Sequence, residues 1–401
     1  RLLCLLVVLA ELISGKTMAD DDVLETLILR SPGLREVAEN PVHEVQVLYT
    51  QIDRAASLDA PPIFRSYSWK VNADRYFYPA STVKLPATIL ALEKLDSLAG
   101  AGLLRESTMR TLGLDQDDVS SVARYIREIF LVSSNPANNR LFDLVGPVEL
   151  SDGLQSRGYA GVRIFHPLSV ARDSGAITTN AIEFSDEKGN IVHRHPRQTF
   201  ANRWLLKEPE LKGVAYLEGG VRTEQPKDFA GLNAFPLEAQ QRMLRALIFP
   251  DSLPEPERFR LSDDSRRFLL REMSRWVSES RDPAYDPAYF GDAYTRELFF
   301  GFEPKRPMDP DIRMFSKSGL AYGTLTDNAY FADFDNGIEF FLSATVLVNA
   351  NGTFNDDVYE YDTIGIPFMR DLGRAVHAYE LTRQRQSPAN LEAVKFDYED
   401  L

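Results

Sequence analysis

The 401-residue sequence contains very little cysteine: Cys4 is the single one, and it lies within the first ten residues. One thiol cannot form an intrachain disulfide or supply the ligands of a cysteine-rich metal site. Histidine is also scarce, and neither His193 and His195 nor Asp356–Asp357 has a spacing typical of metal ligands. We therefore predict no metal and no cofactor, and a fold that depends on its hydrophobic core.

Positive charge is in deficit, with 45 Lys and Arg residues against 59 Asp and Glu residues, for a net charge of −14 at pH 7. No basic stripe offsets this excess, so the sequence argues against nucleic acid and against anionic membrane surfaces as partners. Hydrophobic residues at 44% and charged residues at 26% are ordinary for a globular protein.

The apolar run Leu2–Ala10 follows a lone Arg1 and is too short to span a bilayer. It is typical of the hydrophobic region of a secretory signal, and residues 17–19 form an acceptable small-x-small cleavage site. We predict a signal peptide over residues 1–19 and a periplasmic or secreted bacterial protein without stable membrane insertion after cleavage. A buried N-terminal helix or a membrane anchor remains the alternative.

Hydrophobic periodicity predicts an α+β fold. Alternating patterns predict two strands early in the chain, at 43–54 and 64–71, and three late, at 313–323, 327–334 and 337–349. Helical patterns cover 20–39, 81–98, the whole of 99–160, 237–249, 265–278 and 364–383. The simplest arrangement is an antiparallel sheet built from both chain ends, with flanking helices and an inserted, mostly helical domain.

This arrangement implies one domain over residues 20–401. Its α/β part covers about 20–80 and 300–401, and its helical part covers about 81–170. An insertion of about 171–313 begins with a predicted hairpin at 175–196, and residues 197–235 are predicted to be irregular.

The tetrad Ser81–Lys84 begins a strongly apolar helical stretch, so the hydroxyl and the amine would share one helix face. A desolvated lysine near a helix N-terminus can be neutral often enough to remove the serine proton. Pro86 fits this helix only if the helix begins late. The tetrad is also a pattern expected about once by chance in such a chain, and a second copy occurs at Ser185–Lys188, in a predicted turn.

Two further motifs follow in the chain. Ser133–Asn135 reads Ser-Ser-Asn between two predicted helices, and Lys317–Gly319 reads Lys-Ser-Gly on a predicted strand. With the tetrad at Ser81, this order of motifs resembles the class A β-lactamases and penicillin-binding proteins, a superfamily of serine acyl-enzymes. Asn139 matches a second asparagine of that family, and the resemblance covers 42–170 and 314–380.

The resemblance implies a role for each motif residue. Ser81 would be the nucleophile and Lys84 its base, while Ser133, helped by Lys317, would pass a proton to the leaving nitrogen. Asn135 would hold Lys84 and a substrate amide oxygen. Ordinary structural roles remain open, since a serine or asparagine in such a place can be a helix cap and a strand lysine can be solvated.

The Lys-Ser-Gly motif would also bind substrate. Lys317 and Ser318 suit a substrate carboxylate, and Gly319 leaves room for a substrate backbone along the strand. The backbone N–H groups of Ser81 and Leu320 would form the oxyanion hole.

The chain departs from the family where a deacylating glutamate is expected. Residues 161–175 contain no glutamate, and His166, which stands there beside a proline, is more typical of a structural histidine. Glu208 lies in a Glu-Pro-Glu-Leu-Lys stretch that matches the family's letters, but it stands 75 residues after Ser133 (208 − 133). It is the weakest candidate of the predicted site.

The sequence therefore predicts an exported serine acyl-hydrolase that forms an acyl-enzyme with β-lactam or peptidoglycan-type amides. The alternatives are a penicillin-binding or sensing protein that acylates with little turnover, and an esterase that uses the same site.

Overall fold

A computed structural model describes residues 23–55, 61–114, 118–170, 175–302 and 311–398. The predicted signal peptide, residues 1–19, lies outside these described residues. Within the described ranges, no helix has both the length and the apolar character that a membrane span needs.

The elements are as follows. The α-helices are α1 Val23–Arg30, α2 Pro32–Glu39, α3 Lys84–Leu98, α4 Val122–Val132, α5 Asn135–Val145, α6 Leu237–Ile248, α7 Asp263–Ser274 and α8 Ile366–Thr382. The strands are β1 Gln46–Asp53, β2 Ile63–Trp69, β3 Thr108–Thr111, β4 Asp118–Ser121, β5 Ala176–Thr179, β6 Ile182–Ser185, β7 Ile191–His195, β8 Gln198–Ala201, β9 Leu211–Lys212, β10 Ala215–Glu218, β11 Val221–Thr223, β12 Lys227–Asp228, β13 Ile312–Ser316, β14 Gly319–Ala321, β15 Thr324–Asp333, β16 Ile338–Leu347 and β17 Thr353–Phe354. Shorter helical turns stand at Pro41–His43, Ala80–Val83, Ala99–Ala101, Glu149–Gly153, Leu154–Ser156, Pro250–Ser252, Glu255–Glu257, Val277–Glu279, Tyr361–Gly365 and Glu392–Val394.

The central sheet joins the two ends of the chain. Its order is β13-β15-β16-β1-β2, with β14 also paired to β15. All of these pairs are antiparallel, and β1 from the early chain lies between β2 and β16. This confirms the predicted α+β fold with an antiparallel sheet from both chain ends.

The sheet is covered on both faces. Every residue of β15 and nearly every residue of β16 is buried, as expected for strands between two layers of helices. Successive side chains alternate between the faces: Phe340 packs in one core with α1 and α8, and Phe341 packs in the other with α3 and α6. The larger core therefore connects the sheet directly to the helix that follows Ser81.

The prediction that residues 99–160 are helical throughout is wrong. The strands β3 and β4 pair with each other and, through β3, with β6 and β7 of the insertion. Met109 and Thr111 are fully buried while their neighbours are exposed, which is a strand's alternation of two rather than a helix's period. Helix α4 consequently begins at Val122, where the Ser121 hydroxyl accepts the N–H of Arg124 at 3.2 Å.

The expectation of an irregular segment at 197–235 is also wrong, because five short strands, β8 to β12, lie within it. The strand β10 pairs in parallel with β17, so Ala215 stands opposite Thr353 and Tyr216 opposite Phe354. These pairs connect the insertion to the C-terminal part of the chain.

Candidate active site

Ser81 lies in a turn of 3-10 helix, Ala80–Val83, that leads directly into α3. Lys84 is the first residue of α3, so Pro86 falls in the first turn, where its missing N–H has no intrahelical acceptor to lose. The late helix start that Pro86 required is therefore present. Ser81 is partly exposed, whereas α3 is buried nearly all round in the larger core.

Lys84 is fully buried and binds four oxygens. Its Nζ lies 2.8 Å from Ser81 Oγ, 3.0 Å from Ser133 Oγ, 2.5 Å from the Ser133 carbonyl and 2.6 Å from Asn135 Oδ1. Burial, and then the nearby charge of Lys317, hold the pKa of Lys84 well below its ordinary value. An amine that is easily neutral thus stands within hydrogen-bond distance of the Ser81 hydroxyl, as a general base requires.

Ser133 bridges two lysines. It follows α4 in a left-handed conformation with φ of 55°, which turns the chain between α4 and α5. Its Oγ accepts hydrogen bonds from Lys84 at 3.0 Å and from Lys317 at 2.9 Å. Burial lowers the pKa of Lys317 to about 8, and the carboxylates of Glu297 and Asp327 oppose that change. The hydroxyl can therefore exchange protons with either amine.

Gly319 brings β14 against the turn that carries Ser81. A Cβ at this position would lie 2.6 Å from Ser81 N and 2.8 Å from Pro79 O, so only glycine fits. The backbone of Leu320, the next residue of β14, consequently runs beside Ser81, where a pair of N–H donors can hold an oxyanion. The Ser318 hydroxyl donates to the Thr295 carbonyl at 3.1 Å, so in this structure it is bound to the protein.

Asn135 connects Lys84 to the segment that was expected to carry a glutamate. Its Oδ1 accepts from Lys84, and its Nδ2 donates to Ser169 Oγ at 2.8 Å. The side-chain amide of Asn139 binds the backbone of Leu168, the residue before Ser169. It accepts the Leu168 N–H at 2.8 Å and donates to the Leu168 C=O at 2.9 Å. The described part of this segment thus brings the Leu168 backbone and the Ser169 hydroxyl, and no carboxylate, into contact with the two asparagines.

The other two candidate bases have different surroundings. His166 accepts the N–H of Asn233 at its Nε2, and its Nδ1 lies 2.8 Å from the Pro167 carbonyl. Both ring nitrogens are therefore used in holding the backbone, which is the structural role predicted for His166. Glu208 is exposed, and no hydrogen bond or ion pair found within the described ranges joins its carboxylate to Lys84.

The second Ser-x-x-Lys copy differs from the first. Ser185 ends β6 and Lys188 lies exposed in the turn before β7. Neither residue adjoins Ser133 or Lys317. In the part of the chain that the structure describes, no cluster of three or more His, Cys, Asp or Glu residues could hold a metal ion.

Sequence reasoning missed two acidic residues beneath Lys317. Glu297 and Asp327 are both fully buried. Asp327 accepts the N–H groups of Glu297, Leu298 and Asn328 at 3.1, 3.1 and 2.8 Å. Burial, and then the charge of Asp327, raise the pKa of Glu297 well above its ordinary value. The only signal was an aspartate in the middle of a predicted strand, and it gave no indication of its partner.

Residues 64–199 match the family described as the Beta-lactamase enzyme family. The matched range contains the Ser81 tetrad and Ser133–Asn135, and ends before Lys317–Gly319. This match confirms the predicted resemblance to the β-lactamase and penicillin-binding protein superfamily and, with it, a serine hydrolase. No curated protein matches the chain.

Three solved structures are similar to this chain. A β-lactamase from Sphaerobacter thermophilus has 14% identity and a TM-score of 0.48, over 91% of this chain and 99% of that one. A β-lactamase from Streptomyces albus G has 13% identity and a TM-score of 0.46, over 87% and 98%. PBP-A has 16% identity and a TM-score of 0.48, over 89% and 96%. Such identities and TM-scores carry no inference about substrate or turnover.

Proposed function

We propose that the protein is an exported serine acyl-hydrolase that forms an ester at Ser81 with β-lactam or peptidoglycan-type amides. The observation that carries this proposal is the contact between a fully buried lysine amine, Lys84, and the Ser81 hydroxyl at 2.8 Å. Ser133 extends that contact to a second lysine, Lys317, at 2.9 Å. The apolar run Leu2–Ala10 supports export.

Acylation follows from these contacts. Neutral Lys84 takes the proton of Ser81 Oγ while the oxygen attacks the amide carbonyl, and the N–H groups of Ser81 and Leu320 stabilise the resulting oxyanion. The C–N bond then breaks, and Ser133 gives its hydroxyl proton to the departing nitrogen. Ser133 regains a proton from Lys84 or Lys317, both within hydrogen-bond distance of its Oγ. The products are an acyl ester on Ser81 and an amine, which is released from a linear amide and stays attached to the acyl group when a β-lactam ring opens.

Hydrolysis of that ester needs an activated water. The described residues next to Asn135 and Asn139 offer Leu168 and Ser169 in place of a carboxylate. General-base assistance is typically worth about 10² to 10⁴ in rate. We therefore favour slow deacylation, which supports a penicillin-binding or sensing protein as the second candidate. An esterase using the same site is the third.

Labelling with a fluorescent penicillin tests the nucleophile. Peptide mapping should find the adduct on Ser81, and the Ser81→Ala variant should remain unlabelled while a Ser185→Ala variant labels normally. An adduct elsewhere would contradict the site.

Turnover separates the candidate functions. With nitrocefin, we expect a burst of one equivalent followed by slow release, and an intact-protein mass that shows the acyl adduct for minutes. Fast turnover without a burst would instead favour an efficient β-lactamase, with a base that we have not assigned.

A further inference from the structure

The Lys-Ser-Gly strand gives the site a direction. Ser133 and Lys317, which would protonate the leaving nitrogen, stand at the Lys317 end of the motif. The oxyanion donors stand at its middle, beside Gly319. The acyl part that stays on Ser81 must therefore extend past Leu320 toward the far end of β14 and Tyr322, the residue that follows it.

At that far end the insertion meets the nucleophile's own segment. The Tyr322 ring lies 5.0 Å from the Tyr78 ring, and both lie beside Phe229 of the insertion, with ring centroids 5.4 and 6.5 Å away. Ala80, next to the nucleophile, belongs to the same apolar cluster, and Tyr216 packs against it. We call Tyr78, Tyr216, Phe229 and Tyr322 the aromatic wall.

A lysine from the insertion stands on this wall. Lys227 Nζ lies 5.0 Å from the Tyr216 ring centroid, 5.5 Å from that of Tyr322 and 5.9 Å from that of Phe229. Contacts with ring faces at this distance favour the charged amine and restrict its position. Lys227, Tyr216 and Tyr322 are partly exposed, so a substrate in the site can reach them.

We propose that the aromatic wall and Lys227 form the subsite for the acyl group, and that this subsite selects acyl groups carrying both a planar or apolar body and an anionic substituent. The proposal rests on the proposed function, since it assumes an acyl group on Ser81. It gives the insertion a role in specificity: the partly exposed rings of Tyr216 and Tyr322, backed by the buried rings of Tyr78 and Phe229, contact the body of the acyl group. The ammonium group of Lys227 attracts its carboxylate. This anion is distinct from any carboxylate at Lys317, which would lie on the leaving-group side.

Three penicillins that differ only in acyl-side-chain charge test this subsite. They are α-carboxybenzylpenicillin, benzylpenicillin and α-aminobenzylpenicillin. The measurement is the second-order rate of Ser81 acylation, by intact-protein mass, for the wild-type protein, Lys227→Gln and Lys227→Glu. Lys188→Glu, an exposed lysine in the β6–β7 turn, makes the same change in net charge as Lys227→Glu and is the matched control.

The wild-type protein should acylate fastest with the carboxylated compound. An exposed charge contact is worth about 1.4- to fivefold in rate. Lys227→Glu turns attraction into repulsion for the anionic compound and repulsion into attraction for the cationic one, so the ratio of anionic to cationic rates should fall by at least about fourfold. Lys227→Gln should fall between, and Lys188→Glu should leave the ratio unchanged.

The outcomes separate the two proposals. Acylation of Ser81 at rates that ignore side-chain charge, or an equal shift in Lys188→Glu, would overturn the subsite and leave the proposed function standing. Absence of any acylation by all three compounds would overturn both. Thermal denaturation of each variant establishes that a changed ratio does not come from unfolding.

Discussion

Replacing Gly319 with alanine should disable acylation with little effect on the fold. The added Cβ would lie 2.6 Å from Ser81 N, 2.8 Å from Pro79 O and 3.0 Å from Thr82 N. Contacts under 3.0 Å are essentially never seen for a Cβ, so β14 must move away. All three atoms belong to the backbone of the turn that carries the nucleophile, and no flexible side chain can relieve the overlap.

The size of the effect follows from what moves. Relieving such an overlap costs about 1 to 3 kcal/mol of unfolding free energy. Displacing β14 also separates the N–H of Leu320 from that of Ser81, and loss of one oxyanion donor costs about 10² to 10³ in rate. The acylation rate of Gly319→Ala should therefore fall by about 10² to 10³, while the protein remains folded.

The assay is pre-steady-state acylation by nitrocefin, with unfolding by urea measured in parallel. Gly33→Ala is the matched control, because a Cβ there has no atom within 4 Å and the position lies early in α2, far along the chain from the site. An acylation rate for Gly319→Ala within twofold of the wild type would refute the oxyanion assignment.

Three further predictions concern groups around the two lysines. Leu168→Glu should deacylate about 10² to 10⁴ times faster than its neutral control Leu168→Gln, because it places a general base beside the asparagines of the site. The rate is measured as loss of the acyl adduct, and equal rates for the two variants would contradict this. The acylation rate of the wild type should fall above pH 8, because the pKa of Lys317 is lowered to about 8 and its protonated form exists below that pH. Lys317→Ala should acylate slowly and show no such fall in rate. The same fall in this variant would mean that another group titrates there. Asp327→Asn should lower the unfolding free energy by about 1 to 3 kcal/mol, because it weakens the hydrogen bonds from three buried backbone N–H groups. A loss below about 0.5 kcal/mol in urea titrations would contradict this.

The arrangement of the candidate site could be predicted from sequence because its parts are local motifs on regular elements. Ser81 and Lys84 are one helical turn apart, so their proximity needs only a helix. Ser133–Asn135 stands at the junction of two helices. Lys317–Gly319 stands where β13 leads into β14. The periodicity of β15 and β16 was clear enough to predict the sheet that brings the last motif to the first.

What could not be predicted depends on contacts between distant residues. The strands β3 and β4 are each four residues long. They form because β3 pairs with β4 and with β6 of the insertion, and this pairing overrides the helical pattern around them. Phe229 reaches Tyr78 and Tyr322 only because short strands fold the insertion back over the site. Glu297 reaches Lys317 across the core, and nothing in its local sequence indicates that partner.

The surroundings of the two lysines differ in a way that fits the opposite roles proposed for them. Both lie within 3.0 Å of Ser133 Oγ, so two adjacent ammonium charges would repel each other. Lys317 has the carboxylates of Glu297 and Asp327 behind it, and these favour its charged form. The acceptors of Lys84 are neutral hydroxyl, carbonyl and amide oxygens, and the charge of Lys317 lowers its pKa further. These surroundings favour the neutral form of Lys84 and the charged form of Lys317, as their proposed roles of base for Ser81 and proton donor to Ser133 require. Environments that separate the pKa values of two like groups in this way are how one site holds both a base and an acid at the same pH.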